Sequence, residues 1–195
     1  MPKIVDHEER RKHIAAVTWK VISEQGLRHA TSRTIAKEAG LSQGALRHYF
    51  SNQESLLQFA IELVKEQLIE RIKRLKEKKL EPVEQMNEYL LEFIPTNEQT
   101  LLEMEVWFAF VTLAKTEKNL NPDLVGLQTA IKDVIVFLQN EGVLKEIDVE
   151  LEQEKLYALM NGMALNLYLE PAKINREKSK ELIRNYLESI LTQKR

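Results

Sequence analysis

Thr31 to Phe50 reads TSRTIAKEAGLSQGALRHYF, two short helical runs separated by a glycine. Ile35, Ala36 and Ala39 share one side of the first run. Gly40 follows, where a helix-ending residue takes the left-handed conformation that glycine tolerates best. Ser42 stands one residue before the second run, Gln43 to Tyr49, and its hydroxyl can cap free amides there. A helix, a glycine-bearing turn and a second helix form a helix-turn-helix, whose second helix enters the DNA major groove. Gln43, Arg47, His48 and Tyr49 give that helix a polar side, while Ala45, Leu46 and Phe50 can face inward. Gly44 leaves room for a phosphate to approach the backbone. Taken alone, the same unit also describes a helical hairpin whose polar side is merely solvated.

The flanking residues bear on that choice. Thr31, Ile35, Ala36, Ala39, Gly40, Ser42, Gly44, Tyr49, Phe50, Glu54 and Leu56 stand in the order and spacing of a known pattern. On these residues the chain resembles the N-terminal domain of the TetR family of bacterial transcriptional regulators. The run SQGALRHYF is most similar to the choline-responsive repressors of glycine-betaine synthesis. The resemblance is strong over residues 8–60 and weak beyond. It implies a homodimer that binds a double-stranded DNA operator and is released by a small-molecule inducer, with no cofactor. Its DNA-binding positions map to Thr31, Ser32, Arg33, Ser42, Gln43, Gly44, Arg47, His48, Tyr49 and Gln53. Thr31, His48 and Tyr49 are the expected phosphate contacts. Gln43 suits a bidentate pair to adenine and Arg47 one to guanine. Two positions depart from the pattern: Arg47 replaces a frequent Tyr, and Gln53 replaces a Lys and removes a charge from the backbone clamp.

Charge distribution agrees with a DNA-reading N-terminus. The chain of 195 residues has a net charge of −2, yet residues 1–55 hold nine Lys/Arg against six Asp/Glu. A basic module thus precedes an acidic remainder. Cysteine is absent, which excludes disulfides and thiolate chemistry. The four histidines, His7, His13, His29 and His48, form no ligand set at metal spacing. With no phosphate-cradling glycine loop either, an enzyme is not expected. No apolar run reaches the ~18 residues of a membrane span and no signal peptide is visible, so a cytoplasmic protein with no membrane partner is expected.

The 3.6-residue period recurs throughout, Gly and Pro are few, and the expected fold is all-α with about nine helices. Residues 1–52 are expected to form the DNA-binding domain. Residues 53–195 are expected to form a helical domain for effector binding and dimerisation. Asp6 with Glu9 and Ser51 with Glu54 have capping-box spacing, at the starts of helices one and four. Helix four extends toward Lys79, and the later helices are expected over about 82–94, 98–116, 121–141, 149–168 and 176–193.

Helices six and eight carry the remaining candidates. Met104, Trp107, Phe108, Phe110, Met160, Met163 and Asn166 suit either an adaptable apolar pocket or ordinary core packing. Glu103 and Glu105 lie about 200° apart on a helix, so at most one faces inward. An inward Glu beside Trp107 suits a cationic ligand. Gly162 inside an apolar helix suggests a close helix approach. The family resemblance implies a dimer interface built from the last two helices, with Gly162, Tyr186, Leu187 and Ile190 as its candidates.

Overall fold

The computed structural model describes residues 7–115 and 126–192. Among these lie nine α-helices: α1 (His7–Gln25), α2 (Ser32–Glu38), α3 (Gln43–Tyr49), α4 (Gln53–Lys76), α5 (Pro82–Leu91), α6 (Glu98–Ala114), α7 (Leu127–Asn140), α8 (Val149–Leu169) and α9 (Arg176–Ile190). The described residues hold no strand, only a single bridge between Leu144 and Leu191. The expected start of helix seven at Asn121-Pro122 and the Asp6 capping box lie outside the described residues.

The described chain falls into two compact units, residues 7–67 with 105–115 and residues 68–104 with 126–192. In the first, α1 turns Ile14, Ala15, Thr18, Trp19 and Ile22 inward. The buried Thr18 hydroxyl is satisfied by donating to the Ile14 carbonyl at 2.9 Å. Trp19 is core rather than a site: its indole N–H donates to the Ala60 carbonyl of α4 at 3.0 Å. Leu46, Phe50, Leu56 and Ala60 close the same core. Full burial of each large apolar side chain contributes ~1.5–3 kcal/mol. The early turns of α4 therefore belong to this unit, so the expected boundary at residue 52 falls inside it.

Asn52, not Ser51, opens α4. Its carboxamide oxygen accepts from the Ser55 amide at 2.7 Å. That bond fills the role expected of the Ser51–Glu54 box, one residue later.

In the second unit α5 packs most extensively on α9, and α7 on α8. Leu90, Leu91, Ile131, Val134, Leu138, Leu156, Met160, Ile183 and Leu187 form a shared core. Asn87 is fully buried at the α5–α9 seam and donates to the Lys180 carbonyl at 3.0 Å.

Candidate functional site

Local caps set the geometry of the reading module. Thr31 caps α2 by accepting from the Thr34 amide at 3.2 Å. Ser42 caps α3 by accepting from the Ala45 amide at 3.1 Å. Gly40 joins them with φ +67°, the left-handed turn that the sequence requires. Sequence reading locates both helices, the Gly40 turn and the Ser42 cap, and does not anticipate the Thr31 cap.

Four faces of α3 follow from its i, i+4 spacing. Leu46 and Phe50 are buried. Ala45 and Tyr49 lie half-buried along one edge. Gln43 with Arg47, and Gly44 with His48, are exposed. Among the described residues, a Cβ built on Gly44 would meet only the Ser42 hydroxyl, at 3.9 Å, so none of them demands glycine there. Thr31 and Arg33 are also exposed and Ser32 is half-buried. Gln53 is engaged within the protein, where its amide donates to the Ala30 carbonyl at 2.9 Å and ties the start of α4 to the turn before α2.

Two α1 residues join this module. His7 brings its ring to 4.8 Å from Tyr49 and 6.0 Å from His48. One turn later the Arg11 guanidinium lies over Phe59 at 4.1 Å and Phe50 at 5.1 Å. Arg11 is therefore held against rings at the α3–α4 junction. Sequence reasoning missed both contacts. The only signal was the i, i+4 placement of His7, Arg11 and Ala15 on one face of α1.

The effector candidates divide between the units. In the first, Phe110 is buried, and half-buried Trp107 meets Phe108 edge-on at 4.9 Å. Among the described residues, Trp107 Nε1 and Glu105 Oε2 are buried atoms without a hydrogen-bond partner. In the second, Met160 and Met163 are core residues, and Met104 packs against that core. Asn166 is exposed, on a side of α8 turned away from the core of its unit.

Glu103, not Glu105, is the more deeply buried of the two acids, at 5% exposure. It is already neutralised. Arg71 donates twice to it, at 3.0 and 2.8 Å, and once to Glu92 at 2.7 Å. Burial opposes the Arg71 charge, but the hydrogen bonds to Glu103 and Glu92 outweigh it and hold the guanidinium above its ordinary value. A sequence signal existed: Arg71 interrupts an apolar stripe between Leu68 and Leu75.

Two of the four interface candidates lie inside the protomer. Leu187 is 0% exposed and Ile190 4%, both buried within their own protomer. Leu187 faces the shared core. The Tyr186 hydroxyl donates to Glu152 at 2.8 Å; burial and this carboxylate push it well above the usual phenol range. α9 thus spends its apolar stripe largely inside the chain. Gly162 is exposed with nothing near a built Cβ, so no close approach within the protomer explains it. Leu165, Leu169 and Leu182 remain 44%, 65% and 45% exposed on α8 and α9.

Residues 82–192 match the family model of the BetI-type transcriptional repressor C-terminal region. Residues 14–59 match that of the bacterial regulatory proteins of the tetR family. The chain is 46% identical over 192 residues to the HTH-type transcriptional regulator PksA of Bacillus subtilis (strain 168), covering 97% of this chain and 94% of the relative. It is 28% identical over 193 residues to the HTH-type transcriptional regulator BetI of Stenotrophomonas maltophilia (strain R551-3), covering 96% of each. Among solved structures, a transcriptional regulator from Rhodococcus sp. Rha1 matches with TM-score 0.76 and 26% identity over 92% of this chain and 95% of its own. A transcriptional regulator from Saccharomonospora viridis in complex with choline shares the fold, with TM-score 0.82 and 19% identity over 95% of this chain and all of its own. No described helix is long and apolar enough to cross a membrane. The chain belongs to the TetR family of bacterial DNA-binding transcriptional regulators and carries a BetI-type C-terminal region.

Proposed function

We propose that this regulator is a cytoplasmic, homodimeric repressor that binds a palindromic operator and leaves it when a small molecule binds. The observation that carries the DNA half is the capped α3 with Gln43, Arg47, Gly44 and His48 exposed along it. Those side chains are spare from packing and match the chemistry of base edges and phosphates. Two-fold symmetry in the protein requires matching half-sites in the DNA.

The dimer surface is assigned to Gly162, Leu165, Leu169 and Leu182, because these leave apolar area uncovered in the protomer. Charged substitutions at Leu165 and Leu182 are expected to give folded monomers with weak operator affinity. Sedimentation and a mobility-shift assay on the protein's own promoter check this. A dimer that persists in the double variant rejects the surface.

The inducer site is assigned to the middle of α6. Glu105 and Trp107 each keep a buried polar atom without a partner among the described residues, and a ligand can supply one. A carboxylate oxygen favours a small organic cation, and choline, the ligand of the Saccharomonospora regulator, is the first to titrate. Trp19→Phe leaves Trp107 as the sole tryptophan of the two in the chain, so its fluorescence reports binding there. Release requires that the ligand favour the DNA-incompetent conformation. Operator must then weaken ligand binding by the same factor. Equal ligand affinity with and without operator rejects induction and leaves a regulator without a ligand.

A further inference from the structure

We propose that His7 of α1 is a DNA-phosphate contact acting with His48 and Tyr49, and that its protonation tightens DNA binding as pH falls. This rests on the DNA-binding reading of α3. His7 lies 42 residues from Tyr49 in sequence, yet their rings are 4.8 Å apart with an interplanar angle of 35°. His48 meets both rings edge-on, at 6.0 Å from His7 and 5.7 Å from Tyr49. His7 and His48 are exposed. The two imidazoles and a phenol thus form one cluster at the C-terminal end of the reading helix, open to solvent.

The placement of His7 is fixed from below. Arg11, one turn along the same face of α1, is clamped over Phe59 and Phe50. Among the described residues its Nε is buried without a hydrogen-bond partner, while its Nη1 lies 4.0 Å from the Glu8 carboxylate. The clamp holds the first turn of α1 at the end of α3, and His7 is the side chain that this brings to the phosphate-binding edge. The charged and titratable groups nearest in position are Glu8, Glu9, Arg10, Arg11, Lys12 and His13 in the first turns of α1, Arg47, His48 and Tyr49 on α3, and Glu54 at the start of α4. α3 itself contains no acid.

Sign follows from the ligand's charge. A phosphate favours the protonated imidazole, so the DNA complex binds more protons than the free protein, and affinity rises as pH falls. Phosphate contacts carry no sequence information, so the gain appears on any duplex.

The experiment is fluorescence anisotropy with two labelled duplexes, one from the protein's own promoter and one scrambled, at about pH 6 and pH 8 over a salt series. His7→Gln should match the wild type at the higher pH and lose most of the gain at the lower. Its salt slope at the lower pH should fall by about one. His7→Lys should bind tightly at both. His48→Gln separates the second imidazole's share. A His7→Gln protein with the wild-type pH and salt dependence overturns the proposal, as does pH-independent binding by the wild type. If the wild type binds neither duplex at any pH, the DNA-binding reading of α3 falls as well.

Discussion

The two units place their cations differently. In the first, Arg33, Arg47 and His48 stand exposed on the reading module, and the arginine that packs, Arg11, lies over phenylalanine rings. In the second, cations are spent on carboxylates between helices. Arg71 holds Glu92 and Glu103. Along the α5–α9 seam, Lys180 pairs with Glu84 at 2.5 Å and Glu88 at 2.7 Å, Arg176 with Glu88 and Arg184 with Glu84. The module that must meet a polyanion keeps cations exposed on its reading side, and its Arg11–Glu8 and Lys20–Glu24 pairs lie within α1. A module with no such partner can use charge to set helix registry.

The sharpest way to break that contrast is to remove Arg71. Its partner Glu103 has a side chain only 6% exposed, so Arg71→Ala leaves a buried, unpaired carboxylate. Losing one member of a buried pair costs ~3–5 kcal/mol, and replacing both with apolar residues restores most of it. Urea unfolding of Arg71→Ala, compared with Arg71→Met/Glu103→Leu, measures this. A single variant as stable as the wild type would mean that the second unit does not depend on its internal ion pairs.

Second in size is the loss at an exposed cation of the first unit. Arg47→Ala should weaken operator binding by ~1–3 kcal/mol and relax discrimination at one base pair, while leaving stability within ~0.5 kcal/mol. Titrating operator and scrambled DNA separates the two effects. Equal losses on both duplexes would assign Arg47 to phosphate and leave Gln43 as the base-reading candidate.

Gly44 sharpens the same point with effects of opposite sign. No described residue occupies the space of its missing Cβ. Gly44→Ala should therefore stabilise α3 by up to ~1 kcal/mol and yet weaken DNA binding, because the added methyl stands where backbone and phosphate approach. Thermal unfolding and anisotropy on one sample check both signs. Tighter DNA binding by the variant would show that the glycine is not reserved for phosphate.

The sequence is most legible where local rules act alone. Ser42 and Gly40 announce the reading helix because a cap and a left-handed turn are properties of a few adjacent residues. The start of α4 slipped by one residue because Ser51 and Asn52 are both competent caps, and the structure uses Asn52. The apolar stripe of α9 was legible, but its partner was not. Periodicity says that Leu187 and Ile190 are buried and does not say against what; α5 supplies much of the surface that a second subunit was expected to supply. Contacts of long sequence separation, such as His7 to Tyr49 and Arg71 to Glu103, leave only a polar residue on an apolar or packed face as their trace.

The smallest expected effect concerns the α5–α9 seam, where charge pairing is partly exposed. Hydrogen bonding to Lys180, aided by the Lys180 and Arg184 charges, holds the Glu84 carboxyl below its ordinary value of 4.5 against the opposing effect of burial. Hydrogen bonds to Glu84 and Glu88 in turn hold the Lys180 ammonium above its ordinary 10.5. The signs fix a window. A carboxyl with a depressed folded-state value contributes stability above its unfolded value and loses it as pH falls through the folded one. An ammonium with a raised value contributes below its unfolded value and loses it as pH rises through the folded one. Glu84→Gln should therefore be slightly less stable than the wild type at neutral pH, by under ~1 kcal/mol given the exposure of the pair. The gap should close as pH falls below about 4, and shrink at neutral pH as salt screens the seam. Unfolding midpoints for both proteins along a pH series read the gap directly and cancel the titration of carboxylates common to both. A gap that stays constant into acid would mean that Glu84 contributes through packing and not through its charge, and the seam would then resemble the aromatic clamp of the first unit more than the Arg71 network of its own.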